Sequence, residues 1–234
     1  MIEDIIKKHL SPPSEYIHGF ADLSGLLHEK YKNYSYGITI GKRLDDTIVD
    51  ALMNGPTIEY LRHYKQANKE LREISLRIHD DLLAKGIDSL PVTPTVTKEM
   101  EGYEDYMENV YYDISHKMVA TRAGLGWIGK TDLFISEKFG PRLRLVSILL
   151  AENPGCSAEP VESGKCGKCN ICVVKCPASA ANGLTWNTGV HRDQFFNALK
   201  CRQKCGELAN KLLNSGERIC GLCVSICPIG RRTA

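Results

Sequence analysis

The sequence predicts an α/β (α+β) protein in which a mixed domain, residues 1–153, is followed by a small cysteine-rich domain, residues 154–234. Apolar residues recur at helical spacing along residues 57–85, and the apolar stretch 143–151 is typical of a buried strand. Nine of the ten cysteines follow residue 160. The composition changes at 152–155, where hydrophobic strands give way to cysteine, glycine and lysine, and this change sets the predicted boundary.

The first domain is predicted to contain helices and strands separated by clear breakers. Ser11-Pro12-Pro13 ends the first helix, Asn54-Gly55-Pro56 separates the second from the third, and Gly86 closes the third. The predicted elements are, in chain order, helix 2–10, strand 36–40, helices 44–53 and 57–85, strand 89–92, an irregular acidic stretch at 94–107, a helix capped by Ser115 and ended by Gly124, and strands 131–136 and 143–151.

Charge and hydropathy exclude several classes of function. The formal charge is +2 and the pI is about 8.0, so the chain shows no broad basic surface for nucleic acid. The sequence shows neither a secretory leader nor an apolar run of membrane-spanning length. We therefore expect a cytoplasmic protein with no DNA partner and no membrane attachment.

Cysteines of the second domain form two runs with the spacing of metal ligands. The first run, Cys166 to Pro177, reads C-x2-C-x2-C-x3-C-P, and the second, Cys220 to Pro228, reads C-x2-C-x3-C-P. The first spacing is that of bacterial ferredoxins with two [4Fe–4S] clusters. Disulfides are disfavoured because no secretory leader is seen, and zinc is disfavoured because its ligands usually come in separated pairs. The two runs predict a bacterial-ferredoxin-like module with two [4Fe–4S] clusters.

In such modules the last cysteine of each run binds the cluster of the other run, and this exchange assigns the ligands. The ligands predicted for one cluster are Cys166, Cys169, Cys172 and Cys227. Those predicted for the other are Cys176, Cys220, Cys223 and one further residue, either Cys201 or Cys205. Cys201 is preferred because apolar residues in front of it predict a packed helix, whereas Cys205 is expected to face solvent.

A second informative stretch runs from Ala123 to Lys130 and holds three glycines between a predicted helix and a predicted strand. Glycines permit positive φ and close approach of the backbone to a ligand, and Lys130 adds a charge suited to a phosphate or an amide-rich partner. The order helix, turn, strand is the reverse of a dinucleotide fingerprint, so this stretch does not predict nucleotide binding.

Together with the segment 140–144 and the two cysteine runs, this stretch resembles the epoxyqueuosine reductase family and its relatives, the corrinoid reductive dehalogenases, over roughly residues 55–230. The resemblance implies a nitroreductase-like cobalamin-binding domain followed by a ferredoxin module that feeds electrons to the cobalt. It implies cobalamin contacts from Lys117, Gly124, Gly126, Trp127, Gly129 and Lys130. It also implies that Tyr64 is a candidate proton donor at the corrinoid. His116 and Asp113 are acid–base candidates by their positions near the expected cofactor pocket.

Two features depart from that family. Val110 stands where the family has a catalytic aspartate, and the chain ends soon after Cys227, without the C-terminal extension that meets tRNA in the family. We therefore do not expect tRNA as a partner.

These observations together predict a cobalamin-dependent iron–sulfur oxidoreductase, in which two [4Fe–4S] clusters reduce a bound corrinoid. Electrons would come from an external low-potential donor, and the substrate would be a small molecule or a partner enzyme. One alternative is a corrinoid-free ferredoxin-type electron carrier, which the loss of the family aspartate favours. Another is a corrinoid storage or delivery protein.

Overall fold

The structure, a computed structural model, describes residues 1–231, and the chain divides into two compact units. Unit 1 comprises Met1–Arg43, Gln66–Leu125 and Arg144–Val161. Unit 2 comprises Leu44–Lys65, Gly126–Leu143 and the chain from Glu162 onwards. The predicted boundary at 153 and 154 lies close to the last change of unit, and two earlier segments of the chain join the cysteine-rich unit.

The helices and strands are, in chain order, α1 (Ile2–His9), β1 (Tyr16–Asp22), β2 (Tyr36–Arg43), α2 (Asp46–Asp50), α3 (Ile58–Leu83), β3 (Ser89–Val92), α4 (Tyr103–Asn109), α5 (His116–Arg122), β4 (Gly126–Ile128), β5 (Phe134–Ser136), β6 (Leu143–Leu150), α6 (Ile171–Val174), α7 (Arg192–Phe195), α8 (Ala198–Leu213) and α9 (Leu222–Ile226). None of the helices within residues 1–231 combines the length and the apolar character that crossing a membrane requires.

Unit 1 is built on a four-stranded sheet with the order β1-β2-β6-β3. Strand β1 pairs antiparallel with β2, and β3 pairs antiparallel with β6, with Ser89 opposite Leu150 and Val92 opposite Ser147. The central strands β2 and β6 are buried along almost their whole length, whereas β1 lies at an edge and is only partly buried. Because side chains alternate across a strand, the two faces of β6 contribute to two different cores.

The first core of unit 1 lies between the sheet and the helices α1 and α3, and its apolar members include Ile6, Ile38, Ile74, Ile78 and Ile148. The second core contains Leu149 of β6 and Val119 of α5. Ile148 and Leu149 are therefore consecutive residues that pack into opposite cores, as the period-two pattern of a strand requires.

Unit 2 consists of a short hairpin and a series of short helices that carry the cysteines. Strands β4 and β5 pair antiparallel, with Gly126 opposite Ser136 and Ile128 opposite Phe134. Helices α6 and α9 have four and five residues, and α8 is the sixteen-residue helix of the cysteine-rich segment. Helices as short as α6 and α9 are not stable in isolation, so contacts within the unit must hold them.

The structure confirms the longer predicted elements and corrects several short ones. The helix predicted at 57–85 is α3, and the strands predicted at 89–92 and 143–151 are β3 and β6. Strands β1 and β4 and helix α4 were not predicted. The strand predicted at 131–136 begins only at Phe134, because the Asp132 N–H donates to the Gly129 carbonyl at 2.9 Å and closes a turn before it.

Candidate metal centres and cofactor residues

Four thiols of unit 2 lie close to one another, and we call them the first thiol set: Cys166, Cys169, Cys172 and Cys227. A tight turn brings two of them onto one loop, since the Cys169 N–H donates to the Cys166 carbonyl at 3.1 Å. Cys172 lies on α6, and Cys227 follows directly after α9. Burial raises the pKa of Cys227 to about 11, and the charges of the other three thiols of the set act in the same direction.

Five more thiols of unit 2 make up the second thiol set: Cys176, Cys201, Cys205, Cys220 and Cys223. Burial raises the pKa of Cys223, and the charges of the thiols at 220, 201 and 176 act in the same direction. Charged thiolates that lie this close repel one another, so the set favours a bound cation that neutralises them.

Each thiol set contains a cysteine from the other sequence run. Cys227 ends the second run and lies with the thiols of the first, whereas Cys176 ends the first run and lies with those of the second. Within residues 1–231, no three His, Cys, Asp or Glu side chains converge as a site for one metal ion requires. A cubane places its four thiolates on four separate iron atoms, so it does not need such a point of convergence.

Cys205 is not the solvent-facing thiol that the sequence predicted. It is partly buried on α8, and its sulfur lies 3.9 Å from that of Cys201, one helical turn away. Hydrogen bonds to Cys201 and to Cys220 raise the pKa of Cys205, and the bond from Cys205 lowers the pKa of Cys220 to about 7. The expectation failed because the helical register that turns residue 205 inward depends on how α8 packs.

Lys130 forms hydrogen bonds with the segment that carries Cys166, Cys169 and Cys172. Its buried ammonium donates to the Gly167 carbonyl at 2.8 Å and to Asn170 Oδ1 at 2.7 Å, and both acceptors belong to that segment. The next residue, Thr131, is also buried, and its hydroxyl lies within hydrogen-bonding reach of both Cys172 and Cys223. Sequence reasoning missed Thr131, because only the fold brings this turn to both thiol sets.

A second cation is buried beside α9. Arg142 is 1% exposed and donates to Asp46 Oδ1 at 3.1 Å, to Asp50 Oδ1 at 2.5 Å and to the Ser225 carbonyl at 3.2 Å. It therefore ties α2 to the helix that precedes Cys227. The sequence singled out segment 140–144 only for its resemblance, and the charge pairing with Asp46 and Asp50 carried no local signal.

The conformation and packing of the local backbone explain why glycine stands at positions 124, 126 and 129. Gly124, at φ +71°, ends α5 in a Schellman motif, with Gly124 N–H bonded to the Thr121 carbonyl and Leu125 N–H to the Ala120 carbonyl, both at 3.1 Å. At Gly126 a Cβ atom would lie 2.0 Å from the Ile135 carbonyl oxygen, so only glycine permits this hairpin pairing. A Cβ atom at Gly129 would lie 3.0 Å from the Ile135 side chain.

Trp127 is the member of this stretch with an unexplained polar atom. Its side chain is buried at 5% exposure, and among the described residues its Nε1–H has no hydrogen-bond acceptor. Buried donors are normally paired, so this N–H is available to an acceptor that is not part of the protein chain.

His116 has partners for both ring nitrogens. Nε2 lies 2.9 Å from the Thr93 carbonyl, and Nδ1 lies 2.9 Å from the Ser147 hydroxyl. A carbonyl oxygen can only accept, so Nε2 carries the proton, and Nδ1 accepts from Ser147. Burial lowers the pKa of His116 to about 4, and the charge of Arg144 acts in the same direction, so the ring is neutral at physiological pH.

The other residues predicted at the corrinoid lie in separate units. In unit 1, the exposed Asp113 forms an ion pair with Lys30, and Lys117 is the second residue of α5. In unit 2, the partly buried Tyr64 of α3 has its ring centroid 6.3 Å from that of Tyr60. Catalytic roles for Tyr64, His116 and Asp113 stay predictions.

Val110, which stands in place of the family aspartate, follows α4 in the left-handed conformation, at φ +54°. Its N–H donates to the Tyr106 carbonyl at 2.8 Å and closes the helix. A β-branched residue adopts this conformation rarely, so the position is strained.

No protein-family model matches the chain. Epoxyqueuosine reductase of Staphylococcus aureus is 32% identical over 130 residues, which are 50% of this chain and 30% of that protein. Epoxyqueuosine reductase of Vibrio cholerae is 35% identical over 79 residues, which are 34% of this chain and 20% of that protein. The chain spans about a third of the length of the first of these curated relatives.

Solved structures of two classes of enzyme share the fold. The catabolic reductive dehalogenase NpRdhA matches 92% of this chain and 30% of its own, with a TM-score of 0.66 and 16% identity. Epoxyqueuosine reductase of Bacillus subtilis matches 98% of this chain and 65% of its own, with a TM-score of 0.59 and 15% identity. The chain is therefore similar in sequence to epoxyqueuosine reductases and similar in fold to them and to reductive dehalogenases, which confirms the resemblance predicted from its motifs.

Proposed function

We propose that this chain is an iron–sulfur oxidoreductase in which two [4Fe–4S] clusters pass electrons to a bound corrinoid for reductive chemistry on a substrate. The observation that carries the proposal is the crossing of the two cysteine runs, with Cys227 among the thiols of the first run and Cys176 among those of the second. This exchange is the arrangement of two-cluster ferredoxins.

The donor groups of both thiol sets fit iron–sulfur clusters. Thiolates are the ligands that such clusters take, and each set offers at least four. When bound, the clusters supply one-electron transfer. Lys130 and Arg142 would hold the ligand loops in place, because the carbonyl groups of Gly167 and Ser225 are fixed by their donors.

The corrinoid is supported by two independent observations. One of the solved reductive dehalogenase structures is described by its B12-dependent dehalogenation, and the N–H of Trp127 lacks an acceptor at the stretch expected to contact the cofactor. When bound, a corrinoid supplies a cobalt centre that can be reduced and can then react with a substrate. Trp127 would donate a hydrogen bond to a polar group of the corrinoid.

Among the acid–base candidates, we propose Tyr64 as the proton donor, because it belongs to the same unit as Trp127. The Nε2 proton of His116 is already donated to Thr93, and Asp113 is held by Lys30 on the surface. A role for either would require one of these contacts to break first. A tyrosine hydroxyl can donate directly to a reacting group.

The electron donor that we propose is an acidic carrier protein. Residues 162–234 contain eleven Lys and Arg against four Asp and Glu, whereas residues 1–161 contain nineteen against twenty-four. A basic segment around the cysteines would attract an acidic partner, and its rate of reduction by such a partner should fall as salt is added.

A corrinoid-free electron carrier is the second candidate, and one observation favours it. The glycines of the stretch 123–130 have local backbone reasons, and the Lys130 ammonium is engaged by the cysteine loop. None of these residues then needs a cofactor to explain it. The orphaned N–H of Trp127 is the feature that this alternative leaves unexplained.

Anaerobic reconstitution with iron and sulfide tests the cluster part of the proposal. The wild-type chain should bind about eight iron ions, and Cys169→Ala and Cys223→Ala should each remove about half of them, because each removes a ligand of a different cluster. Iron analysis and electron paramagnetic resonance of the reduced protein measure this result. Equal iron in all three proteins would contradict the proposal.

Addition of hydroxocobalamin, followed by gel filtration and a visible spectrum, tests the corrinoid part. Corrinoid bands should stay with the protein, and Trp127→Phe, which keeps the ring and loses the N–H, should bind the corrinoid more weakly. Gly126 is unsuitable for this purpose, because any side chain there breaks the hairpin. Protein that holds both clusters and retains no corrinoid would leave the electron carrier as the function.

A further inference from the structure

We infer that Cys205 is a reserve ligand of the second cluster, able to bind iron in place of Cys201. The inference rests on the proposed function, since it concerns a [4Fe–4S] cluster bound by the second thiol set. It goes beyond the ligand assignment, which gives that cluster one cysteine of α8 and leaves the other without a role.

The first step of the argument is a count. A [4Fe–4S] cluster takes four protein thiolates, and the second thiol set holds five. The first set holds four, so the surplus belongs to the second set alone. One thiol beside the second cluster is therefore not needed as a ligand at any one time.

The second step is the position of the surplus thiol. Cys201 and Cys205 lie one turn apart on the same face of α8, and their sulfur atoms are 3.9 Å apart. Ligands on different irons of a cubane are held farther apart than that, so the two sulfurs cannot both be ligands in this arrangement. Rotation about χ1 moves a cysteine sulfur by a distance comparable with this gap.

The third step is the surroundings of Cys205. Its thiol also forms a hydrogen bond with Cys220, so it contacts two residues of the set and lies within the ligand group. Cys201 and Cys205 are both partly buried. Cys205 is thus held beside the site where iron would bind, close enough to replace its neighbour.

The exchange needs no oxidant or reductant. The bond between iron and Cys201 Sγ breaks, and a bond between the same iron and Cys205 Sγ forms. The thiol proton of Cys205 passes to the released thiolate of Cys201, so protons and electrons balance.

The test compares Cys201→Ala, Cys205→Ala and the double variant after anaerobic reconstitution. Alanine is chosen because it cannot bind iron and because it is compatible with a helix. Both single variants should keep about eight iron ions and the signals of two clusters, whereas the double variant should keep about four. Cys223→Ala is the matched control and should also keep about four, because the inference makes Cys205 a substitute for Cys201 alone.

Loss of the second cluster in either single variant would overturn the inference, since it would identify one irreplaceable cysteine on α8. Retention of two clusters in the double variant would overturn it as well. The first cluster reports that each variant is folded. A wild-type chain with fewer than two clusters would refute the proposed function itself, which separates that failure from failure of the inference.

Discussion

Unit 1 and unit 2 differ in what their buried chemical groups contact. In unit 1, apolar cores cover both faces of the sheet, and His116 has a protein partner on each ring nitrogen. In unit 2, nine cysteines form two sets, and the resolved hydrogen bonds of Cys205 are to other cysteines. The hydrogen bonds of His116 account for its position in the folded chain. Folding alone gives no reason for nine thiols to lie in two close groups.

This contrast changes the weight of the residues predicted to be functional. His116 and Asp113 were chosen by position in the chain, and the structure gives each a structural partner. The cysteines were chosen by spacing, and the structure brings nine of them together in the two thiol sets. Function is therefore best sought first in unit 2, and the predictions below test that difference between the units.

Removal of iron should produce the largest effect, and it should be confined to unit 2. Helices α6 and α9 are too short to persist alone, so their amides should lose hydrogen-exchange protection by orders of magnitude once the clusters are extracted. Amides of β2 and β6 should keep theirs. Mass spectrometry of exchange before and after anaerobic chelation measures this result.

The control for that experiment is the double variant Cys169→Ala, Cys223→Ala, which should carry neither cluster and should not respond to the chelator. Loss of protection in the central strands of unit 1 would contradict the contrast between the units, because it would make the sheet dependent on iron.

Truncation in the core of unit 1 should produce the opposite result. Ile78 is fully buried between α3 and the sheet, so Ile78→Ala should lower the free energy of unfolding by about 2–5 kcal/mol. Leu76→Ala, on the exposed side of the same helix, should change it by less than about 0.5 kcal/mol. Urea denaturation followed by circular dichroism measures both values.

Iron content completes the comparison. Folded Ile78→Ala should bind as much iron as the wild type, since Ile78 belongs to a core whose members all lie in unit 1. A stable variant with half the iron would show that the core of unit 1 supports a cluster.

The sequence predicted those features whose cause is local. The cysteine runs were recognisable because ligand spacing is a property of a single loop, and the end of α5 at Gly124 followed from a glycine that closes a helix. The hydrogen bonds of Lys130 carried no local signal, because its partners Gly167 and Asn170 lie 37 and 40 residues away. Cys205 was misjudged because the face that α8 turns inward is decided by packing.

The pH dependence of unit 1 should reveal the neutral His116. Its pKa falls from an ordinary 6.5 to about 4 in the folded protein, so below pH 6.5 the unfolded chain binds a proton that the folded chain does not. The contribution of the neutral His116 to stability is therefore fully present above pH 6.5 and is lost as the pH falls toward 4. Between pH 7 and pH 5 this loss should be about 2 kcal/mol, and His116→Gln should not show it.

Urea denaturation at pH 7 and pH 5 measures this difference in both proteins. Carboxylates elsewhere affect wild type and variant alike, so the difference between the two slopes isolates the histidine. Parallel pH profiles would show that folding does not lower the pKa of His116.

The smallest effect should come from Thr131, the buried residue whose hydroxyl reaches one cysteine of each thiol set. A hydrogen bond to a ligand sulfur stabilises the reduced, more negative cluster, so Thr131→Val should lower a cluster potential. One net hydrogen bond of about 0.5–1.5 kcal/mol corresponds to about 20–60 mV for a one-electron couple. Thr131→Ser keeps the hydroxyl and should leave the potential near that of the wild type. Redox titration followed by electron paramagnetic resonance measures the potentials, and identical values for valine and serine would show that the hydroxyl serves the fold of the turn and not the clusters.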